Sequence, residues 1–257
     1  GGSVDHAARR FRYVYDTYLR NAGTKTYLSV IPDKNTFIAS QNGYPDKDYK
    51  ALTERLRNGF PEAKYIDISG LLSADDFYYT DSHWRQERIT KVADEIASQM
   101  GAERIGTCEI QDTGRPFYGV YYGQAALPHA PERLFYLDNA VIRGLKVYNV
   151  ETQSDIPVYD LGAAAGRDPY EMFLGGARSI IRITNPNAAQ ERRLIVFRDS
   201  FGSSIAPLLA AGYSEITLVD IRYISPLSLG KLIDFTKADD ALFLYSASVI
   251  NNSETIK

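Results

Sequence analysis

Short hydrophobic runs that alternate with helical segments constrain the fold of this chain more than any other feature of its sequence. Such runs occur at 26–31, 194–197, 216–219 and 241–245, and the last three are separated by segments in which apolar residues recur at helical spacing. Runs of this length without polar alternation are typical of strands that are buried on both faces of a parallel sheet. The pattern therefore predicts an α/β fold with a mainly parallel sheet and helices on both faces.

The helical pattern is clearest after residue 88, where apolar residues recur at the i, i+3, i+4, i+7 positions and Gly101 follows the last of them. A glycine at this point is the usual end of a helix. By the same criteria we expect further strands at 65–68 and 179–184. We expect helices at 4–21, 49–60, 89–100, 169–174, 205–211 and 227–235.

The pattern changes between about residue 104 and about residue 165. Short runs rich in Tyr, Val and Phe lie at 117–122, 134–137 and 145–150, with turn residues between them. Runs of this kind indicate strands joined by tight connections. A chain of 257 residues is long enough for one large core. We therefore predict a single α/β domain over residues 1–257 that carries a β-rich insertion at about 104–165.

The composition excludes several classes of protein. The net charge is −3 and the charged residues of both signs are interspersed, so nucleic acid is not an expected partner. Cys108 is the only cysteine, which excludes an internal disulfide and a cysteine-rich zinc site. The 19 tyrosines suit either a sugar-binding cleft or an aromatic β region. The start at Gly1 without an initiator Met is typical of a trimmed product, which leaves room for a removed signal or membrane tether.

Ser200 stands where a nucleophile would be useful. The apolar run 194–197 leads directly to Asp199 and Ser200, and small residues then open a predicted helix. Ligands of parallel sheets bind beyond the carboxyl ends of the strands, and the N–H groups at a helix start can stabilise an oxyanion. The alternative is that Asp199 or Ser200 only caps the helix, a role that both residue types fill well.

His83 is the best-placed general base in the chain, because Asp81 precedes it by two positions. In an extended segment such residues project to the same side, so the carboxylate can orient one imidazole nitrogen and leave the other free. A serine hydroxyl needs an imidazole held in this way. The alternative is that Asp81 caps a helix beside a partly exposed His83. The other histidines, His6 and His129, lack such a partner, and no metal-ligand pattern is present.

Four ordered segments, at 80–84, 173–176, 196–204 and 219–223, together resemble the DHHW family of bacterial surface proteins, which are relatives of alginate O-acetyltransferase proteins and SGNH hydrolases. The similarity runs from about residue 25 to residue 252. It implies an SGNH-hydrolase-like three-layer α/β/α fold with Ser200 as nucleophile, His83 as base and Asp81 as orienting acid. The acid and base then precede the serine, the reverse of the usual SGNH order.

The resemblance also implies a set of supporting residues, with two departures from the family pattern. Ser82 stands where the family has a histidine, and Ala177 stands where we expect an asparagine that donates to the oxyanion. Arg222 also has a simpler interpretation, an ion pair with Asp220, and the glycine pair can be a plain turn. The candidates for oxyanion or substrate binding are Gly175, Gly176, Gly202, Arg198, Arg222, Tyr170 and Trp84.

The expected function is that of a serine-dependent acyl-ester hydrolase or O-acetyltransferase. The resemblance implies a short acyl group on a polysaccharide, at an extracellular or cell-surface location. We expect no cofactor, and the scarcity of histidine and cysteine argues against a metal. Hydrolase and transferase differ only in the acceptor, so the sequence leaves both open. The rival from another class is an inactive glycan-binding or scaffold protein with this fold, and a metal-dependent hydrolase is a third possibility.

Overall fold

A mixed, mainly parallel sheet forms the centre of the computed structural model, which describes residues 2–39, 43, 48–121 and 130–257. Within these residues the sheet has eight strands. Numbered along the chain, the strands of the structure are β1 Lys25–Ile31, β2 Lys64–Tyr65, β3 Glu109–Phe117, β4 Glu132–Asp138, β5 Lys146–Asn149, β6 Ser154–Ile156, β7 Ile180–Thr184, β8 Arg193–Arg198, β9 Glu215–Val219 and β10 Asp240–Ser246.

The strand order of the central sheet is β2-β1-β10-β8-β9-β7-β5-β6. The pairings from β2 across to β9 are parallel, whereas β7, β5 and β6 add to the sheet in antiparallel fashion. β10 is buried at every position, as a central strand covered on both faces should be. The predicted parallel frame is therefore present, with an antiparallel extension at one side.

Helices cover both faces of this sheet. On one face the helix Gly2–Val14 places the Phe11 ring about 5.0 Å from the rings of Phe243 and Tyr245. On the other face the helix Thr90–Met100 buries Val92 and Ile96 against the sheet. The fold is thus the three-layer α/β/α arrangement expected from the sequence. The helices are α1 Gly2–Val14, α2 Asn35–Ile38, α3 Tyr49–Gly59, α4 Thr90–Met100, α5 Ala140–Gly144, α6 Gly202–Leu209 and α7 Ala247–Asn251.

The β-rich region divides into two parts. β3 and β4 form an antiparallel hairpin outside the central sheet, and Phe117 and Leu134 pack there against Tyr78 and Tyr170. β5 and β6 instead pair with β7 and so belong to the central sheet. Only the first half of the predicted insertion therefore stands apart from the α/β frame.

Several predicted elements have other bounds or another form. The strand expected at 65–68 is β2, which covers only Lys64–Tyr65. The chain turns soon after it, where the Asp67 carboxylate accepts the Ser69 N–H. The helix expected at 227–235 is a pair of 3₁₀ turns, Pro226–Lys231 and Phe235–Lys237, because the Asp234 side chain caps the second turn. The segment expected at 169–174 is also a 3₁₀ turn. None of the helices in the described ranges is long and apolar enough to cross a bilayer.

The carboxyl ends of three neighbouring parallel strands meet at one edge of the sheet. β1, β10 and β8 end there at Ile31, Ser246 and Arg198. The buried Asp199 carboxylate links two of these ends, since it accepts the Ser246 N–H at 2.7 Å and the Phe201 N–H at 3.1 Å. This edge carries the candidate active site.

We predict that the end of α4 depends on the left-handed backbone of Gly101, where φ is +66° and no atom lies within 4 Å of an added Cβ. Gly101→Ala should lower the free energy of unfolding by about 1–2 kcal/mol, because a Cβ is strained in this conformation. Gly70→Ala is the matched control, since its backbone is not left-handed and it also has open space; a change of about 0.5 kcal/mol or less is expected. Urea unfolding measures both, and equal effects would contradict the prediction.

Candidate active site

The turn after β8 holds Ser200 at the rim of the sheet. The Ser203 N–H donates to the Ser200 carbonyl at 3.1 Å, which starts α6, while the Asp199 carboxylate holds the turn from below. Asp199 therefore does cap this turn, and Ser200 itself is left partly exposed. Neither side chain forms a cap hydrogen bond at the start of α6 itself, since the residue before that helix is Phe201.

The Asp81–His83 pair lies directly opposite Ser200. His83 Nε2 is 2.8 Å from Ser200 Oγ, and His83 Nδ1 is 2.6 Å from Asp81 Oδ1. The same carboxylate oxygen accepts the backbone N–H of His83 at 2.9 Å. An imidazole bound to a carboxylate through Nδ1 presents its other nitrogen to the hydroxyl in the way that proton removal requires.

Asp81 is buried and its second oxygen is also bound. Asp81 Oδ2 accepts the Val120 N–H at 3.0 Å, from the segment that follows the hairpin strand β3. Burial of Asp81 opposes its ionisation, but the hydrogen bonds from His83 and Val120 outweigh that effect and hold the pKa of the carboxyl below its usual value. The group facing His83 is therefore a carboxylate at neutral pH.

Tyr170 packs against one face of the His83 imidazole. Its ring stacks on His83 with centroids 3.9 Å apart and planes 13° apart, and its hydroxyl donates to Ser204 Oγ at 2.7 Å. Ser204 Oγ also accepts the indole N–H of Trp84 at 2.9 Å and donates to the Phe201 carbonyl at 3.3 Å. Ser204 thus connects the turn that carries the serine with the residues that hold the histidine.

The hairpin and the end of β1 fix the loop that carries Asp81 and His83. The Glu132 carboxylate accepts the N–H groups of Tyr79 and Thr80 at 2.8 and 2.7 Å and pairs with Arg85 at 2.7 Å. The Lys34 ammonium donates to the Asp81 carbonyl at 3.3 Å. The loop has little regular structure of its own, so these contacts set its position.

A cleft of about 220 Å³ opens beside Ser200 and His83. It receives side chains from the segments after β1 and β10 as well as from the two loops that bear His83 and Ser200. Its other described lining residues are Asp33, Lys34, Asn35, Ser82, Tyr121, Phe201, Ser246, Ser248 and Val249. The space is polar and suits a small acyl group or part of a sugar.

The predicted oxyanion donors are placed differently from expectation. The Gly202 N–H donates to the Asp199 carbonyl, so it is not available, and Gly202 instead leaves space for the side chain of Arg198, which lies 2.6 Å from the position of an added Cβ. Gly175 and Gly176 form a turn with φ near +71° and +74° and do not line the cleft. Among the described residues, no acceptor lies on the Ser200 N–H, which makes it the available donor at this turn.

Four other predicted substrate contacts are made to the protein itself. Arg198 and Trp84 have no exposed surface and cannot touch a substrate in this conformation. Burial also lowers the pKa of Arg198. Arg222 forms a two-pronged ion pair with Asp220, at 2.9 and 2.7 Å, so the simpler interpretation of this residue is right. Tyr170 is 4% exposed and contacts His83 rather than the cleft.

Sequence reasoning missed several residues of the site, chiefly Lys34, Glu132 and Ser204. Lys34 follows β1, so the rule that ligand sites form beyond strand ends could have identified it. Ser204 lies on α6, which begins just after the candidate nucleophile. Glu132 gave no local signal, because its role depends on how the hairpin packs against the loop.

We predict that the stacking of Tyr170 keeps His83 reactive toward Ser200. Tyr170→Leu should slow the labelling of Ser200 by a fluorophosphonate about 10- to 100-fold, because a small displacement of a catalytic group has effects of that size. Tyr170→Phe keeps the ring and loses only the hydrogen bond to Ser204, so its rate should stay within about threefold of the wild type. Thermal unfolding of both variants is the control, and similar labelling rates for Leu and Phe would argue against the role of the ring.

Comparison with known proteins identifies the fold. No family model matches the chain, and a search of curated proteins gives no match. A DHHW family protein from Eubacterium siraeum is 19% identical with a TM-score of 0.75, over 100% of this chain and 88% of that one. Bacillus cereus PatB1 with a sulfonyl adduct is 18% identical with a TM-score of 0.76, over 97% and 89%.

The O-acetyltransferase domain of Pseudomonas putida AlgJ is 13% identical with a TM-score of 0.56, over 97% of this chain and 84% of that domain. At these identities the likeness concerns the fold. The resemblance predicted from the sequence is confirmed at that level, and this chain has the fold that the DHHW family protein, PatB1 and the AlgJ domain share.

Proposed function

We propose that the protein transfers a short acyl group, through an acyl-enzyme on Ser200, from an ester to a glycan hydroxyl or to water. The observation that carries the proposal is the unbroken hydrogen-bonded chain from Asp81 through His83 to Ser200 Oγ. This is the arrangement by which a weakly nucleophilic hydroxyl is activated at neutral pH.

In the first half of the proposed reaction, Ser200 Oγ forms a bond to the carbonyl carbon of the ester, and its proton passes to His83 Nε2. Asp81 stabilises the imidazolium, and the Ser200 N–H faces the developing oxyanion. The carbonyl then re-forms, the ester C–O bond breaks, and the departing alcohol takes the proton from His83. The product of this half is the acyl ester of Ser200.

In the second half, a hydroxyl of the acceptor gives its proton to His83 and attacks the acyl carbon. The bond to Ser200 Oγ breaks, and the serine recovers its proton from His83. With water as acceptor the outcome is ester hydrolysis, and with a sugar hydroxyl it is O-acyl transfer. The cleft of about 220 Å³ favours a small acyl group such as acetyl.

The glycan and the surface location are supported by the resemblance of the motifs and by the fold shared with an O-acetyltransferase domain. A DHHW family protein has the same fold. We therefore propose a polysaccharide as substrate and a bacterial cell surface as location. The described residues contain no group of three or more His, Cys, Asp or Glu side chains placed to bind a metal, so the metal-dependent alternative lacks a ligand set there.

A non-catalytic, glycan-binding role is the second candidate, and Ala177 favours it. A side-chain donor to the oxyanion was expected at that position, and loss of such a donor usually costs about 10²–10³ in rate. The Ser200 N–H offers one replacement. Turnover of an acetyl ester therefore decides between acyl transfer and non-catalytic glycan binding.

We predict that Ser200→Ala and His83→Ala each lower the hydrolysis of an acetyl ester by about 10³-fold or more, since each removes one part of a unit that acts together. The assay follows release of nitrophenol from nitrophenyl acetate, with and without an oligosaccharide acceptor. Fluorophosphonate labelling, followed by mass spectrometry, should mark Ser200 alone.

Ser228→Ala is the control for this experiment, because Ser228 lies on the 3₁₀ turn after β9, away from the cleft. It should keep the wild-type rate. Unchanged turnover in Ser200→Ala would contradict the proposed mechanism. If the wild-type protein neither turns over the ester nor takes the label, the acyl-transfer role is excluded and the glycan-binding role remains.

A further inference from the structure

Two exposed tyrosines stand beside the cleft, on either side of one lysine. Tyr79 is 68% exposed and Tyr121 is 41% exposed. The Lys34 ammonium lies 5.9 Å from the Tyr79 ring and 5.2 Å from the Tyr121 ring. Tyr121 and Lys34 also line the cleft itself. Flat, exposed rings next to a reactive serine form a surface on which a chain-like substrate can lie.

The charge of Lys34 is already used within the protein. Its ammonium has three N–H donors, and these go to the carbonyls of Tyr78, Tyr79 and Asp81 at 2.8, 3.0 and 3.3 Å. Burial also lowers the pKa of Lys34. The lysine therefore holds the loop in place and has no donor left for a carboxylate of a substrate.

The remaining lining of the cleft offers no other permanent cation among the described residues. Arg198 is buried and Arg222 is paired with Asp220, so neither serves the cleft. Asp33 adds a carboxylate to the lining, while Asn35 and Ser248 add neutral polar groups. Within this described lining, an acidic sugar would bring its charge into the cleft without a cationic partner, which is unfavourable.

We propose that Tyr79 and Tyr121 form an acceptor subsite for a neutral saccharide chain, and that the site discriminates against chains of uronic acids. This inference deepens the proposed function, because it names the class of glycan that the same site accepts. The apolar C–H faces of pyranose rings pack on the tyrosine rings, which removes apolar surface of both from water. Carboxylates are bound most strongly by arginine or lysine side chains with free donors, and the described residues that line this cleft include none.

Binding to a catalytically disabled protein tests the proposal independently of turnover. The protein carrying Ser200→Ala is titrated with β-1,4-linked hexasaccharides of glucose, mannose or N-acetylglucosamine, and with a mannuronate hexamer of the same linkage. At least one neutral hexasaccharide should bind about tenfold or more tightly than the mannuronate hexamer. Equal or tighter binding of the uronate, or no binding of any hexasaccharide, overturns the proposal.

The tyrosines are then tested on that background. Tyr79→Ala and Tyr121→Ala should each weaken the binding of the neutral chain by about three- to tenfold, the usual effect of one aromatic contact. Tyr223→Ala is the matched control, because Tyr223 is 52% exposed but lies after β9 and not at the cleft. This variant should bind the neutral chain with the same affinity as the protein that carries Ser200→Ala alone. Equal losses of affinity in Tyr79→Ala and Tyr223→Ala overturn the proposed subsite.

Failure of the subsite and failure of the proposed function give different results. If Ser200 takes the fluorophosphonate label and turns over the acetyl ester but no neutral chain binds, only the subsite is wrong. If the neutral chain binds at Tyr79 but Ser200→Ala does not alter turnover, the acyl-enzyme mechanism is wrong and the subsite stands.

Discussion

The parallel pairing of β1, β10 and β8 is the constraint on which the rest of the site depends. It brings three strand ends to one edge, and the Asp199 carboxylate fixes two of them by accepting the Ser246 and Phe201 N–H groups. Lys34 follows the end of β1, and Ser200 follows the end of β8. Side chains far apart in the chain can then share one small cleft, because the sheet itself is rigid and covered on both faces.

The loop that carries the acid and the base is held by hydrogen bonds rather than by secondary structure. Buried polar groups are costly unless they are paired, and here the pairs come from three different parts of the fold. Glu132 of the hairpin accepts the Tyr79 and Thr80 N–H groups, Val120 donates to Asp81, and Lys34 donates to the loop carbonyls. The hairpin is therefore part of the site, although it lies outside the central sheet.

Some charged residues near the serine contact only the protein, and closeness to Ser200 in the sequence does not show which of them face the cleft. Arg198 is two residues from Ser200, yet it is fully buried and lies near the carboxylate of Asp220 at 3.9 Å. Arg222 pairs with the same Asp220. Both arginines lie against Asp220, and neither is among the described residues that line the cleft.

The sequence by itself determined the parallel α/β frame, the end of α4 at Gly101 and the pairing of Asp81 with His83. These follow from local periodicity, from capping and from spacing over two residues, which act within a few positions of the chain. Tertiary structure alone decided that β5 and β6 extend the sheet, that Arg198 and Trp84 face inward, and that Tyr170 stacks on His83. Those features depend on which surfaces meet between residues that are distant in the chain, such as His83 and Tyr170, and no local pattern encodes such a contact.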